Sequence, residues 1–178
     1  AVGTGAAANR LDGLGGDDVI KLSTGNALKY QHAEGGETTW NNITILDTKG
    51  GDDTIENISG ADITWQINAD NSVTANGISM ANIKIVNADA VNGSTGQVVN
   101  GDNIDSRDYT VDVTENNKLV VADITWTNVD QVNAGDGVNN ELILNNSSAH
   151  AFDLNDYINS YRAVKWTNFD VFTPLQGA

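Results

Sequence analysis

Two short phrases gather oxygen donors where a backbone can bend around them. Gly16-Asp17-Asp18-Val19-Ile20 and Gly51-Asp52-Asp53-Thr54-Ile55 each join a glycine, two adjacent carboxylates and a β-forming apolar residue two places after the second acid. The glycine frees the turn, the carboxylates are hard oxygen donors, and the apolar residue leads into a buried strand. That order suits coordination of a hard cation such as Ca2+. A worn third copy, Gly135-Asp136-Gly137-Val138-Asn139-Asn140, carries an uncharged Asn140 where the second acid stands, and Val99-Asn100-Gly101-Asp102-Asn103-Ile104 is a looser echo. The candidate metal ligands are therefore Gly16, Asp17, Asp18, Gly51, Asp52, Asp53 and Asn140. The competing reading is that these aspartates are solvated turn residues, since turns favour Asp for its own local hydrogen bonds.

Catalytic groups are sparse. His32 and His150 are the only histidines, and neither lies in a recognisable motif. Nucleophile-elbow, zinc-protease and phosphate-loop spacings are absent. Asp102, Asp105, Arg107 and Asp108 come closest to the carboxylate and arginine sets that polysaccharide lyases and epimerases use, yet Asn100-Gly101-Asp102-Asn103 reads first as a turn. The expectation is a protein that is not an enzyme, with a carbohydrate-binding module or a β-helical polysaccharide lyase or epimerase as the alternative. Trp65 is the aromatic residue best placed to meet a sugar, but its alternation with Ile63 and Ile67 assigns it to the core.

The elements that would position these turns are visible as an internal repeat. Trp40-Asn41-Asn42-Ile43 recurs as Met80-Ala81-Asn82-Ile83, Trp126-Thr127-Asn128-Val129 and Trp166-Thr167-Asn168-Phe169, in steps of 40, 46 and 40 residues. Between them, Ile63-Thr64-Trp65-Gln66-Ile67 with Val73 matches Tyr109-Thr110-Val111-Asp112-Val113 with Leu119. Strict alternation broken by a polar pair marks a β-hairpin. The whole chain, 1–178, reads as one repeat domain of about four units, each of roughly forty residues. A unit of that size closes no core alone, whereas stacked copies do. The fold expected is all-β, a stacked-repeat β-solenoid, with a β-sandwich as the alternative. Trp40, Met80, Trp126 and Trp166 would form one interior column, and Ile43, Ile83, Val129 and Phe169 another. Near the C-terminus, Leu154, Tyr157, Ile158 and Tyr161 have helical spacing with Asp153 as a cap, so a short helix and a further hairpin both fit there.

Composition narrows the partners. The chain has 24 acidic and 9 basic residues, a formal charge of −15. That excess disfavours nucleic acid and anionic membrane as partners, because neutralising phosphates needs clustered Lys and Arg. Cysteine is absent, which removes disulfides, zinc-thiolate sites and thiol chemistry. No apolar run approaches the ~20 residues of a membrane span. The chain opens at Ala1 without a charged-then-apolar leader, so a fragment of a larger exported protein is expected.

Asn9-Arg10-Leu11-Asp12-Gly13-Leu14-Gly15-Gly16-Asp17-Asp18-Val19-Ile20 resembles the opening of an RTX, or haemolysin-type calcium-binding, repeat array. In that family's nonapeptide, G-G-x-G-x-D-x-U-x, Gly16, Asp18 and Ile20 match the fourth, sixth and eighth positions, and Gly51, Asp53 and Ile55 match them again. The two phrases lie 35 residues apart rather than in tandem, and Leu14 and Lys49 replace the second glycine. The remainder looks like the long β-solenoid repeats of bacterial surface and adhesin-like proteins. The resemblance implies a secreted, cell-surface module that binds calcium between stacked turns and serves a structural or adhesive role. Its implied partners are calcium and a host or matrix surface glycan or protein.

Overall fold

The structure is a computed structural model that describes residues 9–12, 15–31, 35–91, 94–112, 118–145 and 164–175. The helix or hairpin expected across 153–161 lies outside the described residues, as do His32 and His150.

The chain winds between two sheets. β1 (Arg10–Asp12) lies in the first sheet, and β2 (Val19–Leu22), β3 (Leu28–Gln31) and β4 (Glu37–Trp40) form a meander in the second. β5 (Ile45–Asp47) returns to the first sheet and β6 (Thr54–Asn57) to the second. The next meander is on the first sheet: β7 (Thr64–Ile67), β8 (Val73–Ala75) and β9 (Ile78–Ala81). β10 (Ile85–Asn87) and β11 (Val98–Asn100) then cross to the second sheet and back. A third meander, β12 (Asp108–Asp112), β13 (Lys118–Val121) and β14 (Ile124–Thr127), is again on the second sheet. β15 (Gln131–Asn133), β16 (Glu141–Asn145), β17 (Lys165–Thr167) and β18 (Val171–Leu175) finish the winding in alternate sheets.

Among the described residues the first sheet has eight strands in the order β1-β5-β9-β8-β7-β11-β15-β17, and the second has ten, β18-β16-β12-β13-β14-β10-β6-β2-β3-β4. Successive windings pair in parallel, as β5 does with β1 and β9, and β6 with β2 and β10. This is an all-β solenoid of stacked parallel coils. The second and third meanders leap ahead and fill back. β7 pairs with the later β11, while β9 returns to the earlier β5.

Alternation along each strand sends every second side chain inward, where it rests on its counterpart in the next coil. In the second sheet Ile20, Ile55, Val86, Trp126, Leu119 and Val111 form one unbroken row. In the first, Ala75, Trp65, Val99, Val132 and Trp166 do the same. All are buried. Trp65 and Trp126 meet edge to face between the sheets, ring centroids 6.0 Å apart. The core assignment of Trp65 holds, since it is 0% exposed.

The expected column of large residues is corrected by this register. Trp40 and Trp126 belong to the second sheet, Met80 and Trp166 to the first. The reason lies in the asparagine that follows each of them. Asn42, Asn82, Asn128 and Asn168 have φ of 59°, 63°, 56° and 60°, the left-handed conformation that Asn tolerates better than most residues. Each turns the chain from one sheet to the other, in opposite senses at alternate copies. The repeated motif marks a corner, not a face. Ile43, Ile83, Val129 and Phe169 tuck against the core just after these corners, two at each edge of the solenoid.

Candidate cation site at the glycine–aspartate corners

The Gly-Asp-Asp phrases fill the corners between β1 and β2 and between β5 and β6, and the third copy fills that between β15 and β16. All three run from the first sheet to the second, so they share one edge of the solenoid. The first two stack directly. Gly15 bridges Gly50, and the Gly16 N–H donates to the Gly50 carbonyl at 3.3 Å. Gly51 has φ 124°, and a Cβ there would run into the Gly16 carbonyl oxygen. Its glycine is required twice, by backbone conformation and by the coil beneath.

Within each phrase the two acids point apart. Asp17 and Asp52 are exposed, whereas Asp18 and Asp53 are buried. Together they clamp the coils reciprocally. The Asp52 N–H donates to Asp17 Oδ1 at 2.9 Å, and the Asp18 N–H donates to Asp53 Oδ1 at 2.9 Å. The Tyr30 hydroxyl donates to Asp18 Oδ1 at 3.0 Å, which raises the phenol above its usual pKa. One atom is left over. Asp53 Oδ2 is buried with no hydrogen-bond partner. A desolvated carboxylate oxygen of that kind is costly unless a cation or a proton completes it.

The worn copy repeats the clamp without the charge. The Arg107 N–H donates to Asn140 Oδ1 at 3.2 Å, and the Val138 N–H donates to Asp105 Oδ1 at 2.9 Å. Asn140 spends its amide on the carbonyls of Gly137 and Ala134. It sits five strand positions along the second sheet from Asp53, roughly 24 Å at the spacing of paired strands. Asp18 and Asp53 are thus brought together, and Asn140 is not brought to them. Among the described residues no three His, Cys, Asp or Glu side chains converge as a metal cage. The fit to calcium rests on the orphaned Asp53 oxygen, one coil from Asp18.

Sequence reasoning missed a second set of contacts. The corner asparagines donate to the residue five places after the preceding corner. Asn82 Nδ2 reaches Asp47 Oδ1 at 2.7 Å, Asn128 Nδ2 reaches Asn87 Oδ1 at 2.8 Å, and Asn168 Nδ2 reaches Asn133 Oδ1 at 2.8 Å. The signal was present as an Asp or Asn recurring at that offset. Asp47 also takes the Lys49 ammonium at 2.7 Å, and that bond, then the one from Asn82, lowers its pKa to about 2.

The Asp102 cluster is closed on itself. Arg107 forms a two-pronged pair with Asp102, at 3.1 Å and 2.6 Å, with both side chains 9% exposed. Tyr109 lies beneath it, its phenol pushed up to about 12 by burial. Beside the cluster an open polar groove of about 530 Å³ crosses three coils. A smaller apolar recess of about 40 Å³, lined by Leu11, Ile20, Tyr30 and Trp40 among others, lies at the other end of the solenoid. No protein-family model matches the chain, and neither does any curated protein or solved structure.

Proposed function

We propose that this chain is a non-catalytic structural and adhesive module of a secreted bacterial surface protein, stiffened by calcium at the Asp18–Asp53 corner. Stacked parallel coils make a stiff spacer whose length grows with coil number. The charge of −15 opposes compaction unless cations sit among the carboxylates. The observation that carries the calcium reading is the buried, unpartnered Asp53 Oδ2 against the coil that bears Asp18. Bound calcium would supply the missing positive charge there, with Asp18 and Asp53 as its anionic ligands. The closed Arg107–Asp102 pair favours a structural role over an acid–base one, since neither group is left to exchange protons with a substrate.

The test is calorimetric unfolding in calcium, in magnesium and in chelator, on the wild type and Asp53→Asn. Extracellular modules hold calcium at about 10⁻⁴–10⁻³ M. Calcium at ten to a hundred times its dissociation constant should add about 1.4–2.7 kcal/mol. Magnesium should add little. In Asp53→Asn the calcium response should vanish while the bond from the Asp18 N–H survives. A wild-type transition indifferent to calcium and chelator would discard the metal.

A further inference from the structure

The outer face of the first sheet carries an unbroken row of uncharged polar side chains. Ser79, Thr74, Gln66, Asn100, Asn133 and Thr167 are consecutive partners across six strands. All six are half-exposed, and all are hydroxyl or amide side chains. No charged residue interrupts them in a chain of net charge −15. The rungs are ~4.8 Å apart, close to the advance per sugar of an extended β-1,4-linked hexose chain.

The row leads into the groove of about 530 Å³, whose walls include Gln66, Asn100, Asn103, Asn133 and Asp136. That volume falls within the roughly 300–1,000 Å³ of small-ligand sites. Among the described residues, the side-chain amides of Asn100 and Asn103 have no hydrogen-bond partner. Each offers two donors and an acceptor, the mixed pattern that vicinal hydroxyls match. Asp136, exposed at the rim, adds a carboxylate that can accept from two hydroxyls at once. Asp102 is withdrawn from the groove's chemistry by Arg107.

We infer that this ladder and groove bind an uncharged polysaccharide laid along the solenoid axis, each strand of the ladder addressing one sugar. Backbone geometry fixes the spacing, so the site is preorganised and loses little entropy on binding. The net negative charge rejects polyuronates and sulfated glycans. The inference rests on the adhesive half of the function proposed above and is independent of the calcium corner, which lies on other coils.

Titration calorimetry with cellohexaose, mannohexaose and polygalacturonate tests it, in chelator as well as in calcium. One or both neutral hexasaccharides should bind in both buffers, and polygalacturonate should not. Asn100→Ala with Asn103→Ala should weaken that binding at least roughly tenfold without moving the melting temperature. Asn103→Arg, which fills the groove mouth from an exposed loop, should do the same and serves if the double variant fails to fold. Failure of both neutral sugars to bind in the millimolar range, preference for polygalacturonate, or binding unchanged in the variants would overturn it. Loss of the calcium-dependent melting shift with sugar binding intact would overturn only the metal.

Discussion

At the scale of single residues, several carboxylates of this chain, and Asn140 with them, accept from the backbone N–H groups of a neighbouring coil. Asp53 and Asn140 make the same bond, to the N–H of the residue that precedes a strand one coil away, though only one of them is charged. Charge is therefore not what the clamp needs. Asp47 is the acid whose charge does matter locally. Its pKa is lowered from 3.8 to about 2, chiefly by Lys49 and then by Asn82. A lowered carboxyl pKa means the unfolded chain takes up its proton first, so stability falls as the solution is acidified. The Asp47 contribution is complete above 3.8 and is lost as the pH drops through about 2. Asp47→Ala should lower stability by about 1 kcal/mol near neutrality. Urea midpoints measured down a pH series should show the gap to the wild type closing towards the acid end.

At the scale of elements, the corners carry more specification than the strands. A strand here needs only alternation, and several are three residues long. A corner must set a left-handed residue, pass a close backbone contact and deliver the next strand in register. Gly51 shows the demand most plainly, since its φ of 124° and the Gly16 carbonyl below it both exclude a side chain. Gly51→Ala should destabilise by at least ~2 kcal/mol. The loss should appear in hydrogen exchange as early opening of β1, β2, β5 and β6 while the later coils stay protected. Uniform loss of protection along the whole chain would mean that the coils do not open separately. The glycine and the two acids were legible in the sequence as a motif. That Asp17 and Asp52 face solvent while Asp18 and Asp53 face inward was not, because it depends on which way the corner enters the second sheet.

For the whole molecule, two sheets share one apolar interior, and burial at the middle differs from burial at the ends. Trp65 and Trp126 meet at the centre with 0% exposure each, whereas Trp40, on the terminal strand of the second sheet, is only partly buried. Trp65→Ala should cost about 3–5 kcal/mol. Trp40→Ala should cost less than about 2 kcal/mol, since part of that ring already meets water. Denaturation of the two variants side by side checks the ranking, and equal losses would contradict the burial. The exterior is also divided. The uncharged ladder occupies the first sheet, and a row of β-branched residues (Val19, Thr54, Ile85, Thr125, Val120, Thr110, Ile143 and Thr173) crosses the second.

The amino-acid order alone determined the β character, the hairpins, the repeat and the asparagine and glycine corners, because each follows from alternation or from a conformation that few residues adopt. It also pointed to Asp18 beside Asp53, on the condition that the two coils bearing the phrases stack. What it left undetermined was the sheet to which each copy belongs. The meanders fall on alternate faces, so one linear motif serves both edges of the solenoid, and Trp40 and Met80 part company. Only the tertiary structure could decide that, because sequence period records how often a corner recurs and not the direction in which the chain is travelling when it turns.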